Sequence, residues 1–255
     1  MQRIGIAEIP NFDNGTTKEN GLRVQKMRSV MLNTVNSLLN QNDQASKASP
    51  MIVVTGVFHR MAECTLSIEL LASKGFVRDA AILLVTLIEL RLDLQYIALS
   101  PGRVDDWLKH KTKNQKPWKV KKQILEIFRN TNERDAEVEN YCTFSMVKHG
   151  NPAGETATFP IGVREDALVL PNPDEKRNLL PIYLFTVAAN LYQASVAAGK
   201  MVHPIGFDIS SEIEQLNKLY AELKILNERH LLAIIKKYRQ GPDNSNVKST
   251  TENGS

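Results

Sequence analysis

The sequence predicts an all-α fold, a bundle of six to seven helices with one short irregular or β-hairpin insertion. Three observations lead there. Long segments carry apolar residues at three- and four-residue spacing, the period of one helix face. The clearest breaking signals, Gly75, Ser100-Pro101-Gly102, Gly150-Asn151-Pro152 and Gly241-Pro242, fall between those segments. Aromatic residues make up only 6% of the chain, so Leu, Ala, Ile and Val must fill the core, which suits helix-on-helix packing better than a β-sandwich.

The elements follow in order. Residues 1–17 read as an irregular arm with Pro10 and Asn14-Gly15. Residues 18–39 form a first helix, with Leu22, Met27, Val30, Met31, Val35 and Leu38 at helical spacing. A polar loop over 40–49 leads to Pro50, which is tolerated in a first helical turn. A second helix covers 51–74, and Gly75 suits a left-handed C-terminal cap. The third helix, 77–98, follows so closely that the two must form an antiparallel hairpin. A short helix over 103–113 carries Trp107. Another starts at Pro117, and a longer one covers 133–148, stopped by Gly150-Asn151-Pro152. Residues 153–173 change character, with two strand-like pieces at 156–163 and 167–170 around Arg164-Glu165-Asp166. A segment of that length without helix suggests a lid or binding loop. A helix from 174 to 198 exits at Gly199 or Gly206. The last helix starts near Asp208 or Ser210, where Ser211 to Glu214 has capping-box spacing. At about 30 residues it would extend roughly 45 Å, either projecting into a partner chain or folding back along its own bundle. Residues 18–240 are thus read as one domain, and 241–255 as a disordered tail rich in Asn, Ser, Thr and Gly.

The formal net charge is +4 and the pI about 9.0, so the location of the charge matters more than its sum. The densest basic cluster runs from Lys109 to Lys122, includes Lys119, Lys121 and Lys122, and is interleaved with His110 and Trp118. It is either a phosphate-binding patch or a solvated helix face. Cys64 and Cys142 lie in apolar helical settings without a C-x-x-C pair and are expected to be reduced, buried thiols. The five histidines and two cysteines lack metal-ligand spacing, and no phosphate-loop, dinucleotide or calcium motif occurs. No metal and no cofactor is expected. The N-terminus has no signal-peptide pattern. The longest nearly unbroken apolar run, 80–88, is far short of the roughly 20 residues that span a bilayer. A cytoplasmic protein with no membrane partner is the expectation.

Two groups of residues carry candidate chemistry. The segment 76–98 is almost entirely apolar, yet holds Glu89, Arg91 and Asp93. Such charges must pair, reach an edge or serve a site. Glu89 and Asp93 stand at i, i+4 on one face, so they either share a proton as a general acid–base pair or bind a cation from a neighbouring helix. Ser145 and His149 are also at i, i+4, and Asn151 follows at the helix end. There a histidine serves as an acid–base or phosphate-contacting group, or simply caps the last carbonyls. The nucleophile turn G-x-S-x-G is absent.

The run Ser67-Ile-Glu-Leu-Leu-Ala, then Lys74-Gly75-Phe76, then residues 81–89 ending on Glu89, then Leu94-Gln-Tyr-Ile-Ala98, then Tyr141 and Ser145-x-x-x-His149-Gly150, resembles a widespread bacterial family of uncharacterised helical proteins. That family is similar to HEPN-type helical bundles of toxins and phage-defence nucleases, and the resemblance covers roughly 50–240. It implies a metal-independent ribonuclease or RNA-binding bundle, active in phage defence or stress response and dimeric through helical faces. His149, Ser145 and Glu89 would take the catalytic positions. Asn151, Asp93, Lys119, Lys121 and Lys122 would bind. Two positions depart from the pattern: no arginine precedes His149 within residues 141–147, and Val85 stands where relatives often carry arginine four residues before the glutamate. The alternatives are a non-catalytic helical interaction module and a small-molecule-binding bundle.

Overall fold

The computed structural model describes residues 15–40, 49–109, 117–148, 162–164, 167–169 and 180–239. For residues 15, 16, 143, 147, 162–164, 167–169 and 230–239 it describes the backbone alone. The architecture is an all-α bundle. Among the described residues the helices are α1 (Gly15–Asn40), α2 (Ser49–Ser73), α3 (Val77–Ala98), α4 (Arg103–Lys109), α5 (Val120–Ile127), α6 (Thr131–Lys148), α7 (Leu180–Val202) and α8 (Ser210–Arg239). A single 3-10 turn, His203–Ile205, separates the last two. Between α6 and α7, β1 (Gly162–Arg164) pairs antiparallel with β2 (Ala167–Val169), Gly162 opposite Val169. The remainder of 153–173 lies outside the described residues.

Helix α7 is the axis of the bundle and packs on α1, α2, α3 and α8. Its buried stripe of Leu184, Val187, Ala188, Leu191, Ala194 and Ala198 is small enough to let four helices approach. The α2–α3 hairpin forms as the short link at Gly75 requires. Gly75 adopts φ +83. The Phe76 N–H donates to the Leu71 carbonyl and the Gly75 N–H to the Ala72 carbonyl, a Schellman closure that only a residue tolerant of positive φ makes without strain.

Several boundaries move for local reasons. Helix α1 begins at Gly15, inside the expected arm. Helix α6 begins at Thr131 because Asn130 caps it, its Oδ1 accepting from the Asn132 and Glu133 amides. Helix α5 begins at Val120, three residues after Pro117. Helix α7 runs through Gly199 and ends at Val202. A Cβ at Gly199 would come 2.7 Å from Ile213 Cδ1, so this glycine serves the α7–α8 contact rather than the exit. The exit is Gly206, at φ +90. At the start of α8 the capping box is replaced by Asp208, whose Oδ1 accepts from the Ser210 amide and hydroxyl, while Ser211 bonds to Glu212.

The last helix folds back rather than projecting. It packs along α7 and α1, and Tyr220 stacks between Phe185 and Tyr192, with ring centroids 5.6 and 5.3 Å away. Helix α6 packs on α3 and α5. Cys64 is buried, but Cys142 is exposed on the outer face of α6, and both are free. Helix α2 and the segment Leu180–Ile205 are long and apolar enough to cross a membrane by length and composition. Each has more than half of its apolar window buried inside the bundle.

Candidate functional site

Helix α6 presents Glu137, Tyr141, Ser145 and Lys148 at intervals of four, four and three residues, one continuous helical stripe. The partners of that stripe on α3 show that the two helices run antiparallel: Glu137 meets Arg91, while Tyr141 and Lys148 meet Glu89. Phe144 fixes the stripe in rotation. It is buried and meets Tyr183 of α7 edge-on at 6.0 Å.

The outer half of the seam is a half-buried polar relay. The Tyr141 hydroxyl donates to Glu89 Oε1 at 3.1 Å, and Ser145 stands one turn further along the same stripe. The Lys148 ammonium lies 3.8 Å from the same carboxylate oxygen. Burial raises the Tyr141 pKa first, and the adjacent Glu89 charge raises it further. The tyrosine therefore remains a proton donor to the carboxylate, while Ser145 opposes the rise in its pKa. Lys148 is the last described residue of α6. His149 and Asn151 lie outside the described residues.

The inner half of the seam is different. Arg91 is 1% exposed. Its Nε donates to Asn190 Oδ1 at 2.7 Å, and its Nη1 donates to Gln95 Oε1 at 2.8 Å and Gln193 Oε1 at 2.9 Å. Its Nη2 pairs with Glu137 Oε1. Burial lowers the guanidinium pKa, and Glu137 opposes that shift by charge and hydrogen bond. These contacts tie α3, α6 and α7 together at one point, so Arg91 is a clamp on which the relay is mounted.

Asp93 turns to a different neighbour. It accepts from Trp118 Nε1 at 3.1 Å and Gln123 Nε2 at 2.6 Å. Tyr96 packs on Trp118 with centroids 5.0 Å apart. Its hydroxyl donates to Glu126 Oε1 at 3.2 Å, and Arg103, 3.7 Å from its ring centroid, pairs with the same carboxylate at 2.6 Å. These contacts seat α5 against α3 and α4. Lys119, Lys121 and Lys122 are thereby left exposed on the outer side of α5, with Lys122 3.9 Å from Glu126.

Ser145 is on the α6 stripe that meets Glu89 through Tyr141, whereas Glu89 and Asp93, though one turn apart, engage separate partners. Sequence reasoning did not assign Arg91, Glu137 or Lys148 to the site. The i, i+4, i+8, i+11 stripe on α6 was the available signal for Glu137 and Lys148. Among the described residues no group of three or more His, Cys, Asp or Glu side chains is placed to hold a metal ion.

Residues 51–149 match the model of a family of unknown function, DUF5677. That segment starts in α2, contains α3 and the whole α6 stripe, and ends on His149. No curated protein matches the chain, and no solved structure does.

Proposed function

We propose that this protein is a HEPN-like bundle that binds and processes RNA without a metal, in phage defence or stress response. The observation that carries this reading is the Tyr141–Glu89 hydrogen bond with Lys148 on the same carboxylate, one residue before His149 in the chain. Metal-independent RNA cleavage needs a base to take the proton of the ribose 2′-hydroxyl as it attacks the adjacent phosphorus. It also needs an acid to protonate the departing 5′-oxygen and a cation beside the phosphate. His149 supplies the acid–base group and Lys148 the cation. Glu89 orients Tyr141, while Ser145 and Asn151 hydrogen-bond. The exposed Lys119, Lys121 and Lys122 guide the polyanion. The protein acts in the cytoplasm as a homodimer through helical faces.

One observation favours a second reading, a non-catalytic helical interaction module. Val85, at the position where relatives often carry arginine, is 0% exposed and part of the core. In that reading the seam only fixes helix packing. Binding of a fluorescent single-stranded oligoribonucleotide at several salt concentrations separates the two. The RNA reading expects steep salt dependence that flattens when Lys119, Lys121 and Lys122 are changed to Gln, and weaker binding in Lys148→Ala. Absence of RNA binding by the wild-type protein leaves the interaction module.

A further inference from the structure

A second region, across α7 from the seam, carries polar groups that the fold leaves without partners. Helices α1 and α8 pack together and are joined by the Arg23–Glu222 pair. Between them lies a cleft of about 630 Å³, within the range of small-molecule sites. Two helices that merely pack would interdigitate apolar ridges along this line. Here α1 instead turns Gln25, Arg28 and Ser29, on one helical face, into the opening.

Arg28 is 5% exposed and Gln25 8%. Arg28 Nε and Gln25 Nε2 are both buried with no hydrogen-bond acceptor among the described residues. The Arg28 Nη2 approaches Glu69 Oε2 of α2 only to 3.5 Å, too long for a strong charge-assisted bond. Burial of Glu69 raises its pKa to about 7, with Arg28 the charge that opposes the shift, so the carboxylate neutralises the guanidinium incompletely. Lys26 and Lys218, both exposed, line the same cleft without an ion-pair partner among the described residues. Its one lining carboxylate, Glu222, is already paired with Arg23 at 2.9 Å. Among its described lining residues the cleft therefore offers amide and guanidinium donors, an excess of positive charge and no unpaired carboxylate. Leu22, Val30 and Leu219 give it an apolar wall.

We propose that the α1–α8 cleft is a binding site for a small oxyanion carried on an apolar body, held by Arg28 and Gln25 at its floor and by Lys26 and Lys218 at its rim. A guanidinium suits either a carboxylate or a phosphate ester. The tail of either lies along Val30 and Leu219. This site is independent of the α3–α6 seam, because α6 packs on α3 and α5 while α8 packs on α7 and α1.

Isothermal titration of the whole chain with octyl phosphate, octanoate, octylammonium and inorganic phosphate tests the proposal. One saturable site for octyl phosphate or octanoate is expected, and the tighter of the two identifies the head group. Octylammonium should not bind, and inorganic phosphate should bind more weakly than octyl phosphate. Arg28→Gln should weaken the oxyanion at least about tenfold. Lys218→Glu, at an exposed position that spares the fold, should weaken it several-fold. The proposal is overturned if neither oxyanion saturates, if octylammonium binds as well, if inorganic phosphate binds as tightly as octyl phosphate, or if Lys218→Glu and Arg28→Gln both bind like the wild type.

Discussion

Arg91 and Arg28 are both buried guanidinium groups on inward helix faces, but Arg91 meets four side-chain acceptors, whereas among the described residues Arg28 has one carboxylate at 3.5 Å and an Nε with no acceptor. A buried charge is tolerated when its hydrogen-bonding capacity is met. By that criterion Arg91 is complete without a ligand and holds three helices in register. Arg28 is incomplete, and the cleft beside it is where an outside group completes it. The same physical rule thus separates a structural polar group from one available for binding, although both are equally unusual in an apolar helix.

The sharpest way to break this comparison is to remove Arg91. Arg91→Ala leaves Glu137, Asn190 and Gln193 facing an apolar interior and is expected to cost about 3–5 kcal/mol in chemical denaturation. A loss below about 1 kcal/mol would mean that the four contacts do not act together. Changing Arg91 to Met and Glu137 to Leu together should recover much of that loss, since an apolar pair leaves no unpaired charge.

The Arg28 side is tested through Glu69, which is fully buried and has both carboxylate oxygens without a hydrogen bond among the described residues. Its pKa is raised from 4.5 to about 7, so the folded chain binds a proton that the unfolded chain has released. Stability must then fall as pH rises through that window and level off above about 7, by an amount near 3 kcal/mol. Urea denaturation of wild type and Glu69→Gln from pH 4.5 to pH 8 checks this. The difference between the two should widen in favour of the variant as pH rises, and a constant difference would mean that Glu69 is not the titrating group.

A smaller effect is expected at the hairpin. Gly75→Ala forces a Cβ onto φ +83 with no other atom within 4 Å, so the loss is backbone strain alone, about 1–2 kcal/mol. A thermal melt that does not move would show that the closure relaxes to another cap.

What was legible from the sequence follows a physical division. The Gly75 turn, the α2–α3 hairpin and the stop at Gly206 depend on the φ preference of one residue and its near neighbours, so residue order reveals them. Three of the four partners of Arg91 lie 46, 99 and 102 positions away. Spacing shows that such a charge must be paired, but not by what. Glu89 and Asp93 illustrate the same limit. Their shared helix face could be read, yet small differences in direction send one to Tyr141 and the other to Trp118 and Gln123. The Arg28 cleft was invisible because it needs α1 and α8, from opposite ends of the chain, to lie side by side.

The claim with most at stake is that the α3–α6 seam is an RNA-processing site. It is tested most directly by incubating a labelled single-stranded oligoribonucleotide with the protein in excess EDTA and resolving the products for wild type, His149→Ala and Lys224→Ala, the last an exposed α8 lysine outside both sites. Cleavage by wild type and Lys224→Ala, with products ending in a 2′,3′-cyclic phosphate, and its loss in His149→Ala, is the predicted result. No cleavage by wild type, or equal cleavage by all three proteins, would contradict it.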